Sequence, residues 1–223
     1  MASHSHAYAP PRPLAVITGA SSGIGFELGR LCARDGFDLV VAGGRPDLRA
    51  AADTFRADGA VVTTLQSDLA ALDEVDAFID LIGARQVYVL MTNIGDGLNK
   101  AFLDQDFHDD LHVINANIVG TIYLIQRVAR DMRLRRHGRI LVTASAARLV
   151  PDTHQAVYSG TKAFVDSFSR ALRAELKGTG VTVTRLVPDV TERVAESDVT
   201  TDNARASYEA MMRGEGVTVS AGS

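Results

Sequence analysis

Two side chains in the segment Tyr158-Ser159-Gly160-Thr161-Lys162 are spaced to exchange a proton with a ligand. An i, i+4 separation in a stretch of helical period puts the phenol and the ammonium on one face. The ammonium favours phenolate and draws the phenol down from its usual pKa near ~10, so the tyrosine can give or take a proton close to neutrality. The chain holds three Lys against 20 Arg, and a Lys here suits a compact ammonium rather than a guanidinium fork. Ser145, thirteen residues before Tyr158, follows an apolar run, and its hydroxyl can hydrogen-bond a substrate oxygen that turns negative. A third group lies near the N-terminus, in Thr18-Gly19-Ala20-Ser21-Ser22-Gly23-Ile24-Gly25. Glycines there let the backbone turn tightly and let a pyrophosphate approach a helix N-terminus, and the two serine hydroxyls add donors.

These residues need a scaffold that brings distant segments to one edge. Short apolar runs alternate with longer stretches of helical period, the pattern of a parallel sheet covered by helices on both faces. Strands are expected at Leu14 to Thr18, Leu39 to Ala42, Val61 to Gln66, Val87 to Thr92, Arg139 to Ala144 and Val181 to Val187. Helices are expected at Ile24 to Arg34, Asp47 to Asp58, Leu72 to Ile82, Phe107 to Leu134 and Tyr158 to Lys177, with a shorter one near Ala204 to Met212 and a last apolar run at Val217 to Val219. The fold class is α/β: a doubly wound, Rossmann-like parallel sheet in three α/β/α layers, forming a single domain. Such sheets bind ligands at the carboxyl ends of their strands, and the glycine turn and Ser145 both fall there.

The 223 residues suit one domain with a full core, and 46% hydrophobic with 22% charged residues is ordinary globular composition. A net charge of -4 argues against a nucleic-acid partner. The one basic cluster, Arg130, Arg133, Arg135, Arg136, His137 and Arg139, reads as a solvated helix end running into a loop. A lone cysteine, Cys32, excludes an intrachain disulfide and a thiolate metal site, and no metal is expected. With no apolar core in MASHSHAYAPPRP and no run of eighteen apolar residues, neither a signal peptide nor a membrane span is expected, and the location is expected to be cytoplasmic. Residues 1–13, with His4 and His6, read as a disordered tail.

The spacing G-x-x-x-G-x-G in TGASSGIG, together with Ser145 and the Tyr158-x-x-x-Lys162 pair, resembles the short-chain dehydrogenase/reductase family, and the likeness runs from Leu14 to about Val219. The resemblance implies an oxidoreductase moving a hydride between a nicotinamide cofactor and a carbonyl or secondary alcohol substrate. Tyr158 would be the proton donor, Ser145 the steadying hydroxyl, and Lys162 the group that tunes Tyr158 and holds the nicotinamide ribose. Asn117, before Ile118-Val119-Gly120, matches the family's asparagine and is preferred over Asn115; it would hold water for a proton relay to Lys162. Cofactor contacts are implied for Gly19, Ser21, Ser22, Gly23, Ile24 and Gly25 in the turn, for Asp68 and Leu69 beside the adenine, for Asn93 and Gly95 after the fourth strand, and for Pro188 and Thr191 near the carboxamide.

The second strand ends in Gly43-Gly44-Arg45 without a carboxylate, so NADP is favoured over NAD, with Arg45 pairing the 2'-phosphate. Three places depart from the family pattern. Thr92-Asn93-Ile94-Gly95 stands where N-N-A-G is usual, Pro188-Asp189 where P-G is usual, and the lid, expected near 189–213, is short. The short lid suggests an open site for broad or bulky carbonyl substrates. A homodimer or homotetramer through Phe107 to Leu134 and Tyr158 to Lys177 is also implied. The alternative from another class is a regulator or scaffold that binds the cofactor without turnover.

Overall fold

β1 (Leu14–Thr18) is buried along its whole length, which a strand achieves only when helices cover both faces of its sheet. The computed structural model describes residues 12–44, 46–95, 97–98, 100–144, 155–188, 196–216 and 218–219. From β1 the chain runs through α1 (Gly23–Arg34), β2 (Asp38–Gly43), α2 (Leu48–Ala57), β3 (Val62–Gln66), α3 (Leu72–Ile82) and β4 (Val87–Thr92). A short turn of 3-10 helix at Phe102–Asp104 leads to α4 (Phe107–Ile114), a π-helical turn (Asn115–Gly120) and α5 (Thr121–Arg135). β5 (Gly138–Thr143), α6 (Ala156–Glu175), β6 (Val181–Leu186), α7 (Glu196–Met212) and β7 (Thr218–Val219) complete the described elements. All pairings are parallel and the strand order is β3-β2-β1-β4-β5-β6-β7. The order reverses between β1 and β4, so a crevice opens where their carboxyl ends part.

The doubly wound sheet agrees with the expectation, with a seventh strand added where only an apolar run was read. One face packs Leu28, Cys32, Phe55, Tyr208 and Met211 against the sheet; the other packs Phe78, Leu124, Met132 and Val165. Gly29 allows α1 to close on α2, since a Cβ there would stand 2.6 Å from the Phe55 ring. Among the described residues no helix is long and apolar enough to cross a membrane.

Several expectations change. The helix expected over Phe107 to Leu134 is broken by the π-helical turn, a device that inserts a residue without altering the apolar spacing on either side. The last helix starts at Glu196, eight residues before Ala204, and its buried Ala204, Tyr208 and Met211 pack on the α1 side of the sheet. Tyr208 Oη donates to Asp35 Oδ2 at 2.7 Å, and burial pushes the neighbouring Cys32 thiol well up. Most of the stretch expected as a lid is therefore core helix, and 189–195 lies outside the described residues. Arg12 and Pro13, which the sequence assigns to the tail, are held: Arg12 Nε donates to Gly36 O at 2.9 Å and Pro13 O accepts from Asp38 N at 2.9 Å. His4 and His6 lie outside the described residues.

In the basic cluster Arg130, Arg133, Arg136 and His137 are exposed, as expected of a solvated helix end, while Arg135 and Arg139 are half-buried. Arg135 reaches Val87 O, Arg136 reaches Gly178 O, and Arg139 donates to Met211 O and Met212 O at 3.1 and 2.9 Å. Arg139 thus satisfies carbonyls at the C-terminal end of α7, where a cation is favoured. On the opposite edge, Arg30 and Arg34 of α1 each hold Asp58 at 3.1 Å. Partial burial raises the Asp58 carboxyl, but hydrogen bonds from Arg30 and Arg34 outweigh it and hold the group below its ordinary value.

A group depressed on folding contributes stability above its unfolded pKa, and that contribution is lost as pH falls through the folded value. Asp58→Asn is expected to lower stability at pH 7 by roughly 0.2–1 kcal/mol, the range for solvent-screened pairs. Urea denaturation at pH 7 and at progressively lower pH below 4 checks this: the deficit should be full at the first and shrink as the pH falls.

Candidate active site

The crevice is set by how closely two turns meet. Gly19 has φ +64°, and a Cβ on it would stand 2.0 Å from Asn93 O; a Cβ on Gly25 would stand 2.2 Å from Gly19 O. Only glycine permits this approach. Asn93 N donates to Thr18 Oγ1 at 3.1 Å and its Nδ2 to Gly19 O at 3.4 Å, so the turn after β4 is fastened to the turn after β1. α1 begins just past Ser22, and no side chain caps it. Its first-turn amides therefore remain available to an anion.

A cavity of about 450 Å³ follows this turn. Gly19, Ser21 and Ser22 line one side, Gly43, Gly44, Ser67, Asp68 and Leu69 another, and Asn93, Ile94, Gly95, His112 and Ala116 the rest. Gly43 sits so near the turn that a Cβ there would be 2.3 Å from Ser21 Oγ. The hydroxyls of Ser21 and Ser67 are buried and have no hydrogen-bond partner among the described residues. Buried hydroxyls left unpaired cost free energy, so two of them on a glycine-walled cavity fit a ligand rich in phosphate and ribose oxygens.

Asp68 is shared between the loop and the cavity. Its Oδ1 accepts from Ala70 N at 3.0 Å, Glu74 accepts from Asp68 N, and its Oδ2 lies 3.6 Å from His112 Nδ1. It is both a turn residue, which is the other reading of such an aspartate, and part of the cavity wall. Gly23, Ile24, Gly25 and Pro188 are not among the lining residues. Ile24 packs on the core beneath, Gly25 holds the turn shut, and Pro188 follows the end of β6 half-buried.

Tyr158 and Lys162 stand at the Gly95 end of the cavity. A Cβ on Gly95 would be 3.1 Å from Lys162 Nζ and 3.7 Å from Tyr158 Oη. Lys162 is 2% exposed, donates to Ile94 O at 2.5 Å and Thr143 O at 3.4 Å, and places its Nζ 5.7 Å from the Tyr158 ring centre. Helix α6 supplies both, one turn apart, as the spacing predicts. Asn117, 1% exposed, sits in the π-helical turn and its Nδ2 donates to Thr161 Oγ1 at 3.0 Å. Thr161 Oγ1 in turn donates to Tyr158 O at 2.7 Å. The same turn also closes on the loop after β3, because Gly120 has no side chain: a Cβ there would be 2.0 Å from Leu69 O.

Ser145, Arg45 and Thr191 lie outside the described residues, as does Asp189. Sequence reasoning missed Gly43, Ser67, His112 and Ala116 as cavity residues. They come from four places, the ends of β2 and β3, α4 and the π-helical turn, and share no spacing; the pair Gly43-Gly44 was the one available signal. Among the described residues no three His, Cys, Asp or Glu side chains come together as metal ligands.

The family model described as short chain dehydrogenase matches residues 13–204. The chain belongs to the short-chain dehydrogenase family. A very-long-chain 3-oxoacyl-CoA reductase of Neurospora crassa is 35% identical over 176 residues, 76% of this chain and 53% of its own. The chain thus spans about half the length of that relative. An uncharacterized oxidoreductase of Staphylococcus saprophyticus is 32% identical over 190 residues, covering 83% of this chain and 81% of its own. Among solved structures, a short-chain dehydrogenase from Sphingobium yanoikuyae in complex with NADPH superposes with a TM-score of 0.83 at 29% identity, covering 92% of this chain and 87% of its own. The bulky-bulky ketone specific alcohol dehydrogenase of Comamonas testosteroni gives 0.84 at 27% identity, with 94% and 86% covered.

The hydroxyl of Thr161 joins the π-helical turn to α6. Thr161→Val is expected to lower stability by about 1–3 kcal/mol, the cost of stranding a buried donor, while Thr161→Ser retains most of it. Thermal and chemical denaturation of both variants check this.

Proposed function

We propose that this short-chain dehydrogenase transfers a hydride between NADP(H) and a carbonyl or secondary alcohol, with broad or bulky substrates accepted. The single observation that carries the reading is the position of the Tyr158 hydroxyl and Lys162 ammonium beside Gly95, at one end of a glycine-walled cavity with unpaired hydroxyls. The cavity fits a dinucleotide, with Ser21, Ser22 and the start of α1 toward its phosphates and Asp68 and Leu69 toward its adenine. When bound, the nicotinamide supplies or accepts the hydride.

The chain's own residues then manage the proton and the developing charge. Tyr158 donates its proton to the carbonyl oxygen, or takes it from the alcohol in the reverse direction. The Lys162 ammonium favours the phenolate left behind and holds the nicotinamide ribose. Ser145 follows Ala144 at the carboxyl edge of the sheet and steadies the substrate oxygen by a hydrogen bond. Asn117 links the π-helical turn to α6 through Thr161, one residue from Lys162, a place consistent with a proton path to that lysine.

NADP is preferred because β2 ends in glycines without a carboxylate, with Arg45 next in the chain to meet a 2'-phosphate. The short connection between β6 and α7, residues 187–195, supports an open site, and two relatives are named for bulky ketones or long-chain oxoacyl substrates. A homodimer or homotetramer is part of the proposal. A groove of about 640 Å³ between α5 and α6, lined by Ile122, Tyr123, Ala129, Phe168 and Leu172, supports packing through those helices.

Carbonyl compounds of graded size, assayed with NADPH and NADH in parallel, should give turnover with several bulky ketones and a preference for NADPH. Tyr158→Phe should cut that turnover roughly 10²–10⁴-fold, the worth of a placed general acid, and leave NADPH binding intact. Turnover that survives the substitution would remove Tyr158 from the chemistry. A wild-type chain that binds NADPH and turns over no substrate would favour the scaffold reading, and activity on one small substrate alone would refute the open site.

A further inference from the structure

The half-buried Tyr158 ring has two kinds of border. Leu98, Gln105, Val113, Gln155 and Val157 meet it with no room for a water molecule between them, so no substrate group enters among those residues. The turn after β4 borders it without side chains. Gly95 lies near the hydroxyl, Gly97 lies along the ring, and both are exposed.

The two glycines stand against different atoms. A Cβ on Gly95 would be 3.1 Å from Lys162 Nζ and 3.7 Å from Tyr158 Oη, the groups assigned to proton transfer. The atoms nearest a Cβ on Gly97 would be Tyr158 Cδ2 and Cγ at 3.4 Å and Tyr158 Cβ at 3.8 Å, carbons that take no part in that transfer. These are ordinary van der Waals distances, and the φ of Gly97 lies outside the left-handed region, so the backbone does not demand glycine there. What the missing side chain leaves is open, apolar space beside the phenol ring. A ketone whose oxygen meets the Tyr158 hydroxyl has two substituents to place, and this space takes one of them. An aryl group suits it, because it meets ring carbons instead of charged atoms.

We propose that Gly97 is a specificity-determining residue: its missing side chain leaves the space beside the Tyr158 ring in which the larger substituent of an aryl ketone lies. This rests on the reading of Tyr158 as the proton donor to a carbonyl, and it gives the breadth of the site a source other than the short connection after β6.

The test is steady-state reduction of butan-2-one, acetophenone and benzophenone with NADPH by the wild type, Gly97→Ala, Gly97→Val and Gly95→Ala, with the fold of each variant checked by thermal denaturation. In Gly97→Val the ratio of kcat/KM for the aryl ketones to that for butan-2-one should fall at least about tenfold, the lower end for a misfit in an apolar pocket, with the loss carried mainly by KM. Gly97→Ala should move the ratio part of the way, and it decides the matter if valine unfolds the turn. Gly95→Ala places its Cβ against the Lys162 ammonium and should lower kcat for all three ketones alike, leaving the ratio in place. An unchanged ratio in the Gly97 variants, or a fall as large in Gly95→Ala, would overturn the proposal. Calorimetric titration with NADPH should give the wild-type Kd in Gly97→Val; a loss of cofactor affinity that matches the loss of turnover would overturn it as well. A wild type that reduces butan-2-one and neither aryl ketone would overturn this inference and keep the proposed hydride transfer, whereas one that reduces none of the three would overturn both.

Discussion

At the carboxyl ends of β1 and β4 two turns of backbone touch with no side chain between them. Gly19 carries a positive φ against Asn93 O, Gly25 lies on Gly19 O, and Asn93 spans the two by bonding Thr18 and Gly19. That contact brings the start of α1 and the turn after β4 onto one cavity. Further along the second turn, Ile94 O accepts from Lys162, and this places α6 relative to the glycine turn. A side chain at Gly19 or Gly25 would push these turns apart, and the glycine turn would separate from Gly95 and the Tyr158–Lys162 end of the cavity. The groove is a product of two strand ends closing on each other more than of any one motif.

The two covering layers divide the work around that closure. Helices α1, α2 and α7 bury Phe55, Tyr208 and Met211 on one face and secure the glycine turn from behind. On the other face, α3, α5 and α6 bury Phe78, Leu124, Met132 and Val165, and α6 carries Tyr158 and Lys162 to the Gly95 end of the cavity. Asp166 of α6 pairs with Arg185 of β6 at 2.7 Å, so the helix bearing Tyr158 and Lys162 is tied to the sheet at a second point. The π-helical turn gives Asn117 a buried place facing α6 without moving the apolar stripe of α5, whose Leu124, Ile125 and Met132 keep their packing.

Sequence periodicity located β1, α3 and β4 to the residue, because each is a short apolar run or a clear amphipathic stripe with sharp ends. It missed the first turns of α7, where Ser197, Asp198, Thr200, Thr201, Asp202 and Asn203 look like loop, since polar residues of this type favour caps and turns over helix interiors. Tertiary packing decides that element: Asn203 and Ser207 are buried with Ala204 and Tyr208. It also missed the break in the long helix, because a π-helical turn leaves no compositional mark beyond Asn115, Asn117 and Gly120. At the site, the residues joined by fixed spacing were readable, Tyr158 with Lys162 and the three glycines with their serines. Ser67, His112 and Ala116 were not, because nothing in local sequence tells that β3, α4 and the π-helical turn converge on one cavity.

Lys162 holds two strand ends as well as facing the phenol. Its ammonium donates to Ile94 O just after β4 and to Thr143 O at the end of β5, from a position that is almost wholly buried. A cation placed this way acts as a rivet between the sheet and α6. If Lys162 tunes the phenol as proposed, the proton-tuning group and the fastener are one atom, and a change of that residue alone would alter reactivity and rigidity together.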